Sequence, residues 1–564
     1  MRQIFLITFL SLNSVVGVAQ VLSRFDPDSV LAEWLEAGEW EGVSLHPDIA
    51  MDWLLDMDSS FAEVSDDHPA RTHLFTVNVP VNASFLDRTS DSGDLISPVS
   101  MKYRIKIGEP HRWEFRLQTN QNAGDTCLTM PGTGVPEHLS TGFLIRPGQT
   151  FREIIIGDFQ VNSGFGVVAG SSPVFSVSLG NPGLLHRPGK GIRLHSGTDE
   201  GRFFRGLAGS MELSKSELIV YGSGKDRIHE EVAGMVWKRS FTNSEIGFSG
   251  IRVQNQFPPE IKEGWTAAWQ KDSGRYSRIG IWGQMRVPFG IVFGEAGWSP
   301  NGGYGWITGI RWFEAHGFSA VLRYSGCSPG YPVTYTLFQS GTGLTKEGQR
   351  VIASYRYAPA RQLEWLGSVE VDYAQWPGSN AHFNNASTRI SQQLKYLSKN
   401  LWMAAGSLQL DFLASAAAVP QKLTWKMAFD SDPLQSGTLR FRAGIRQQLQ
   451  GFGSNLTQGT TADCSLSADL ADRRLRITGG FRVFTVETGT DPLYAYEPDV
   501  HYGWSAPVLS GSGTRWFGVV RWKLLKCIDL EIKVSQTAYS DLKHLSEGNN
   551  GGLNGKVQVG WRMT

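Results

Sequence analysis

The chain of 564 residues has no excess of charge of either sign, since 53 Lys and Arg side chains balance 53 Asp and Glu side chains. Without a basic excess, the composition provides no general attraction to nucleic acid or anionic lipid. Cysteine is scarce: Cys127, Cys327, Cys464 and Cys527 stand far apart, with no His pair at metal-ligand spacing. We therefore expect no metal site, no disulfide framework and no cofactor.

Long hydrophobic runs are also missing. Beyond residue 20 the longest apolar stretch is 412–419, whereas a membrane-spanning helix needs about 20 such residues. At the N-terminus, Arg2 precedes the short apolar run 4–12 and the small residues at 17–19. This order is typical of a secretory signal peptide, which we assign to residues 1–19.

The mature chain divides into three zones by hydrophobic period. Residues 20–64 are acidic, with apolar side chains at helical spacing, and predict a short helical periplasmic segment. Residues 65–97 are rich in Asp and Ser, with one apolar patch at 74–81, and are interpreted as a linker or a covering segment. From residue 98 to 564 the period is two, which is typical of β-strands.

Apolar and polar residues alternate over long segments of this last zone. Because successive side chains of a strand point to opposite faces, each segment predicts a strand with one apolar and one polar face. The clearest segments are 101–107, 363–373, 423–429, 439–445, 528–534 and 557–563.

Two architectures accept such strands: a soluble β-sandwich or propeller, and a transmembrane β-barrel that turns the apolar face to lipid. The barrel is favoured because the segments are long and turns rich in Gly and Asn separate them without a blade-type repeat. We predict an all-β fold, a large antiparallel barrel of about 20 strands in the outer membrane. Aromatic residues expected at the membrane interfaces are Tyr373, Trp376, Trp402, Trp516, Trp522 and Trp561.

Four motifs follow one another within residues 150–210: Gly157-Asp158, Gly164-Phe165-Gly166, Gly191-Ile192-Arg193 and Arg202-Phe203-Phe204-Arg205-Gly206. With these motifs the stretch resembles a family of Gram-negative outer-membrane β-barrels that carry a helix-hairpin-helix domain. The resemblance implies an outer-membrane barrel preceded by helical modules likened to DNA-binding units. Here residues 20–64 lack the Gly-hydrophobic-Gly hairpin of such units, so no nucleic-acid partner is expected.

The alternation stops over 171–202, where Pro and Gly residues exclude a regular ladder strand. Long irregular segments inside a barrel are commonly functional, and this one keeps apolar residues. We predict that it folds inward and constricts the lumen; the alternative is a basic surface loop. The charged candidates for the constriction are Arg187, Lys190, Arg193, Asp199, Glu200, Arg202 and Arg205.

No motif indicates an enzyme. His195 lies near Ser196 and Asp199, but the chain has no Gly-x-Ser-x-Gly nucleophile elbow. The glycine-rich run 164–170 does not match a phosphate-binding loop. Two non-enzymatic functions stay open: a pore for small solutes, and a scaffold that binds periplasmic or surface proteins. Outer-membrane lipid is the expected partner in both.

Cysteine positions are predicted from the same alternation. Cys464 shares a face with Leu466 and should point to lipid, and Cys527 should start a strand. Cys127 and Cys327 are expected in loops, without an essential disulfide.

Overall fold

The computed structural model describes residues 71–563 with interruptions. The stretches outside the described part within that span are 82–99, 110–111, 122–137, 149, 171–181, 196–202, 226–229, 256–273, 301, 329, 337–347, 375–384, 399–401, 414–420, 432–437, 452–455, 472, 501–504, 526 and 541–552. The predicted signal peptide and helical segment therefore lie outside the described residues and stay predictions.

The described chain is nearly all β-strand. Its elements in order are β1 (Arg71–Val81), β2 (Ser100–Glu109), β3 (Trp113–Gln121), β4 (His138–Ile145), β5 (Phe151–Asn162), α1 (Pro182–Leu185), β6 (Gly191–Leu194), β7 (Phe204–Leu213), β8 (Ser216–Lys225), β9 (Glu230–Ser240), β10 (Ser244–Asn255), β11 (Gly274–Val287), β12 (Gly290–Trp298), β13 (Tyr304–Ala315), β14 (Phe318–Cys327), β15 (Gly348–Ala360), β16 (Leu363–Ala374), β17 (Asn385–Leu397), β18 (Met403–Leu413), β19 (Lys422–Asp430), β20 (Leu439–Gln450), β21 (Thr457–Leu470), β22 (Leu475–Val486), β23 (Leu493–Tyr494), β24 (Val508–Leu509), β25 (Gly511–Leu525), β26 (Ile528–Tyr539) and β27 (Leu553–Met563).

The long strands form one closed antiparallel ring. Of the 25 strands in the main sheet, the short β6 pairs with β5 alone, while β5 continues to β7. The other 24 strands pair around the ring, and β1 closes it by pairing with β27 over its full length. A closed ring has no open edge, which is the condition for a sheet to stand in lipid.

The two faces of the ring differ as the alternation predicts. On β19, Met427 is 61% exposed on the outer face, whereas the adjacent Lys426 is 7% exposed and points into the ring. The other five alternating segments are strands too. The fold prediction is confirmed: the chain is a large transmembrane β-barrel with a polar interior and an apolar outer surface.

Aromatic side chains contribute to the outer surface. Trp516, Trp522 and Trp561 are exposed there, and Trp402 packs on Tyr396 and Phe429 with ring centroids 5.5 and 5.9 Å apart. Trp376 lies outside the described residues.

Glycine is abundant partly because rings lie across it on the neighbouring strand. In six directly opposed pairs, a β-carbon added to the glycine would come within 2.2–2.7 Å of the partner ring. The pairs are Tyr221/Gly234, Trp282/Gly247, Phe293/Gly309, Trp306/Gly326, Tyr355/Gly367 and Phe517/Gly480.

The sequence analysis misplaced the start of the barrel. The predicted linker 65–97 contains β1, because Phe75, Val77 and Val79 alternate with polar residues and pair in register with both β27 and β2. The strand number is also higher than the estimate of about 20, because many turns at one end hold only two or three residues.

The ring has one end with short turns and one with long connections. At the first end, β7–β8, β11–β12, β13–β14 and β15–β16 are joined by two residues each. The opposite end carries the connections 163–203, 256–273, 328–347 and 487–510. In outer-membrane barrels the short turns face the periplasm and the long loops face outward.

Two of the three described cysteines lie where predicted. Cys464 is exposed, on the same face of β21 as Leu466, and Cys527 directly precedes β26. Cys327 is not in a loop, because β14 extends to this residue and buries it among inward-facing apolar side chains. All three are free thiols, and Cys127 lies outside the described residues.

Candidate functional site in the lumen

The lumen wall is lined by networks of ion pairs. On β15 to β18, Arg350 pairs with Glu370 at 3.3 Å and also with Asp372, and Arg389 pairs with Asp411 at 2.7 Å. On β19 and β20, Asp430 bonds both Arg440 and Arg442. On these strands the inward charged side chains therefore pair across the ladder, and this part of the wall is polar rather than apolar.

A glycine-rich turn, Ser163–Gly170, folds from the end of β5 into the ring. Gly164 and Gly166 adopt positive φ angles of 53° and 86°, a conformation that glycine adopts without strain. The turn directs backbone N–H groups of Phe165, Val167 and Val168 at one carboxylate, that of Glu295 on β12, at 2.5, 3.1 and 3.1 Å. The glycine-rich run, which does not match a phosphate-binding loop, thus binds a carboxyl group supplied by the chain itself.

The segment Pro182–His195 continues the same connection along the wall. Leu185 of α1 is buried against β12 to β15, and β6 pairs with the end of β5. These contacts lie on the face opposite to exposed outward residues such as Leu322. The described part of 171–202 is therefore inside the ring. It contains a short ladder strand, β6, which the sequence analysis had excluded.

His186 anchors this segment in a neutral state. Its ring packs on Phe165 and Phe293 at centroid distances of 5.9 and 4.8 Å, and its Nε2 lies 3.0 Å from Gln284 Oε1 on β11. Burial of the imidazole lowers the pKa of His186 to about 4, so the histidine is uncharged at neutral pH.

A third piece of chain, Tyr331–Thr336 in the connection after β14, joins the turn. The hydroxyl of Tyr331 donates to Val167 O at 3.0 Å, and Gly170 N donates to Tyr335 O at 2.9 Å. Arg278 of β11 donates to the carbonyls of Pro332 and Thr334, both at 2.7 Å. We call the turn, the segment Pro182–His195 and Tyr331–Thr336 together the apolar insert, since two buried hydrophobic clusters hold it to the wall.

A second insert, absent from the sequence-based predictions, lies in the connection 487–510. The short strands β23 and β24 pair, and two further bonds, Ala495 N to Pro507 O and Glu497 N to Ser505 O, extend the ladder. Leu493 and Leu509 at its base are fully buried with Phe484 of β22. We call the described parts of residues 491–509 the acidic hairpin.

The far part of the acidic hairpin carries two buried carboxylates. Glu497 pairs with Arg515 at 2.5 Å, with Lys533 at 3.4 Å and with Arg482 at 3.6 Å. Asp499 pairs with Lys556 at 2.5 Å and with Lys533 at 3.9 Å. These four cations project inward from β22, β25, β26 and β27, and we call them the basic patch.

Wall arginines also hold the hairpin backbone. Arg446 donates to Tyr494 O at 2.9 Å, Arg482 to Tyr496 O at 3.2 Å and Arg521 to Asp499 O at 2.6 Å. The hairpin backbone therefore has attachments independent of its two carboxylates.

The predicted constriction residues are spread over different surroundings. Arg187 and Lys190 are exposed on the apolar insert, and Arg193 donates to Gln160 at 2.7 Å. Arg205 is exposed on β7 in the same row as the outward Leu207 and pairs with Asp158 at 2.6 Å. Asp199, Glu200 and Arg202 lie outside the described residues. Arg205 therefore does not line the lumen, and the role of the other six residues in a constriction stays a prediction.

Several wall residues that hold the inserts were missed by the sequence analysis. Glu295, Arg482, Arg515 and Lys533 sit on regular strands, where the sequence shows only that they belong to the polar face. Glu295 is 130 residues from Phe165, so no local pattern reveals the contact.

Within the described part of the chain, no cluster of His, Cys, Asp or Glu side chains has the arrangement of a metal site.

Among the same residues, no helix is long and apolar enough to cross a membrane.

The ring has the four features of an outer-membrane β-barrel. Its strand pairing is closed, its outer face is apolar, its turns are short at one end and its connections are long at the other. The chain is therefore a protein of that membrane, and lipid covers its outer surface. No protein-family model matches the chain, and no curated protein matches its sequence.

Solved outer-membrane barrels are similar to the chain. The P pilus usher PapC translocation pore has a TM-score of 0.43 and 7% identity, covering 88% of this chain and 99% of that one. The siderophore receptor PirA from Acinetobacter baumannii has a TM-score of 0.44 and 9% identity, covering 88% and 80%. The FrpB iron transporter from Neisseria meningitidis has a TM-score of 0.38 and 10% identity, covering 88% and 82%. At these scores the likeness carries no functional conclusion for this chain.

Proposed function

We propose that the chain is a non-enzymatic outer-membrane channel for small solutes, whose lumen is narrowed by the apolar insert and the acidic hairpin. The observation that carries this proposal is the burial of both inserts against inward faces of the wall. Both begin at the end with long connections, so both enter from the outer side of the membrane. A ring of 24 strands is wide enough to need such filling if it is not to leak.

The polar wall supports passage of hydrophilic solutes. Charged side chains are paired across neighbouring strands in the Arg350 and Arg389 networks, which keeps these side chains fixed at the inner surface. A wall of this kind offers a path for solutes that lipid excludes.

Planar-bilayer recording of the purified full chain tests the proposal. We expect a steady conductance, small for a barrel of this size because the inserts occupy the lumen. The heat-denatured protein is the control and should be silent. Heat-modifiable electrophoretic mobility verifies that the protein is folded. If the folded protein shows no conductance, the channel function is overturned, and a scaffold that binds periplasmic or surface proteins is favoured.

Membership in the helix-hairpin-helix barrel family is a further part of the proposal. The residues behind the resemblance form the region where β5 leaves β4 and the apolar insert begins: Gly157 pairs with both Gly142 and Gly206. A shared insert of this kind is what a solved structure of a family member should display.

A further inference from the structure

We propose that the basic patch is a binding site for small solutes bearing two carboxylates, and that Glu497 and Asp499 occupy it as an internal mimic of that ligand. The inference rests on the proposed channel function for its biological setting. The basic patch itself is observed whether or not the barrel conducts.

The geometry of the patch suits two anionic groups. Arg515 presents Nε and Nη2 to the two oxygens of Glu497 at 2.5 and 3.0 Å, a bidentate arrangement typical of carboxylate recognition. Lys556 binds the second carboxylate, that of Asp499, at 2.5 Å. Lys533 lies between them, at 3.4 Å from Glu497 and 3.9 Å from Asp499.

The internal carboxylates leave donors of the patch unsatisfied. Lys533 Nζ and the Nε and Nη1 atoms of Arg482 are buried without an acceptor in hydrogen-bond geometry among the described residues. Buried charged donors without acceptors are costly. A solute free to adjust its position can approach these donors more closely than carboxylates fixed to the hairpin.

Charge also favours an additional anion at this place. Four cations face the two carboxylates of the hairpin, and one further carboxylate, that of Asp463, lies 3.9 Å from Arg482. A net positive surface therefore remains inside the lumen, where reduced screening strengthens its attraction for anions.

The Glu497 and Asp499 side chains can leave the basic patch without unfolding the acidic hairpin. Arg446 and Arg521 hold backbone carbonyls, and Leu493 and Leu509 hold the base. Rotation of the Glu497 and Asp499 side chains away from the wall would therefore expose the patch while the backbone stays attached. In this state a dicarboxylate takes over the ion pairs that the hairpin had made.

Equilibrium binding of succinate to the detergent-solubilised full chain tests the inference, measured by titration calorimetry at low ionic strength. The informative variant is Glu497→Gln/Asp499→Asn, which keeps side-chain size but removes the internal competitor. Its affinity for succinate should exceed that of the wild type by about tenfold or more, since neutral amides form no ion pairs with the basic patch and are displaced more easily than carboxylates.

A matched variant separates local competition from general charge. Asp372→Asn/Asp411→Asn removes two inward carboxylates from the Arg350 and Arg389 networks and should leave succinate affinity within about twofold of wild type. Adding Lys533→Gln to the first variant should abolish the gain. Inorganic phosphate should bind the first variant more weakly than succinate does.

Equal affinity in the two double variants, no succinate binding by Glu497→Gln/Asp499→Asn, or tighter binding of phosphate would each overturn the inference. Heat-modifiable mobility verifies that every variant is folded. Because binding is measured without conduction, a protein that binds succinate as expected but passes no current would overturn the channel function alone.

Discussion

At the scale of single residues, Glu295 is the side chain on which the glycine-rich turn depends. Its carboxylate accepts three backbone N–H groups, whereas the amide of Glu295→Gln has one oxygen and turns an N–H₂ group toward the same donors. We expect the packed state of the apolar insert to lose about 2–3 kcal/mol. Hydrogen exchange of peptides spanning residues 163–170 measures this loss.

The control for that substitution is Glu364→Gln. Glu364 bonds Arg356 at 2.7 Å and Lys395 at 3.4 Å, both on the wall, so exchange over 163–170 should stay at the wild-type rate. If both variants accelerate exchange there equally, Glu295 has no special role in the turn.

His186 makes the apolar insert sensitive to acid. Its pKa is about 4 when packed and 6.5 when released, so above pH 6.5 the packed state has its full stability. Between pH 6.5 and 4 the released state binds a proton that the packed state excludes, and the packed state loses about 2–3 kcal/mol by pH 4.5.

Conductance at pH 7.5 and pH 4.5 measures this effect, and we expect it to rise on acidification as the insert loosens. His186→Gln has no imidazole proton to gain and should show a smaller rise in conductance over the same range. The idea fails if the variant responds to acid as the wild type does.

Some inward residues that hold the inserts could not be singled out from the sequence. The polar face of β12 was predictable as a face, but the choice of Glu295 as the partner of a distant turn was not, because the contact is set by the path of the insert. The same holds for Arg515 and Lys533, which look like any other inward charge in the sequence.

At the scale of strands, the glycine–ring pairs make a sharp prediction within β22. A β-carbon on Gly480 would lie 2.2 Å from Phe517 Cζ, whereas one on Gly479 meets nothing within 4 Å. Gly480→Ala should destabilise the barrel by about 1–3 kcal/mol, because the ring or the strand must shift. Gly479→Ala should be neutral or slightly stabilising.

Urea unfolding followed by tryptophan fluorescence compares the two alanine variants. Gly479 and Gly480 are adjacent on β22 and lie at nearly the same depth in the membrane. Any difference in unfolding free energy between the two alanine variants therefore comes from the face of the strand on which the alanine lies. Equal stability of Gly480→Ala and the wild type would contradict the packing described for Phe517.

The outer face of β19 gives a second comparison. Met427 is exposed to lipid, so Met427→Arg should cost roughly 2–4 kcal/mol if it lies near the membrane midplane. Ala428→Arg places the same charge one residue along, on the lumen face, and should cost less. Unfolding from lipid vesicles measures both, and a reversed order would mean that the faces are assigned wrongly.

Strand alternation was the strongest signal in the sequence, yet it failed at β1. Phe75, Val77 and Val79 alternate as clearly as many later residues, but Pro80 and the flanking Asp and Ser residues suggest a linker. Long-range pairing with β27 decides the structure there, and a local pattern does not report it. The acidic hairpin was missed for a related reason, because its apolar positions are few and its inward residues are charged.

At the scale of the whole molecule, the apolar insert should limit flow through the ring. Deletion of residues 176–196 removes α1 and β6 but none of the 24 ring strands. We therefore expect a folded barrel with a larger conductance and easier entry of hydrophilic antibiotics into cells. Unchanged permeability in a folded deletion variant would remove this segment from the constriction.

The barrel as a class was predictable, whereas the content of its lumen was only half predictable. A break in alternation marked 171–202 as an inward segment, and the described part of it lies inside. That Tyr331–Thr336 joins it, and that a second insert stands on the opposite stretch of wall, follows from tertiary contacts between segments far apart in the chain.

Closure of the ring between β1 and β27 has a consequence for biogenesis. The contacts Arg71↔Met563 and Val81↔Leu553 join the two ends of the described chain, so ring closure must wait until both are present. Until then two strand edges stay open, each a template for pairing with another chain. The entropic cost of closing so long a loop grows only slowly with its length. The risk of pairing with another chain therefore depends on how long the two edges stay open. We therefore expect a newly secreted copy to stay prone to mispairing at both edges until the last strand docks.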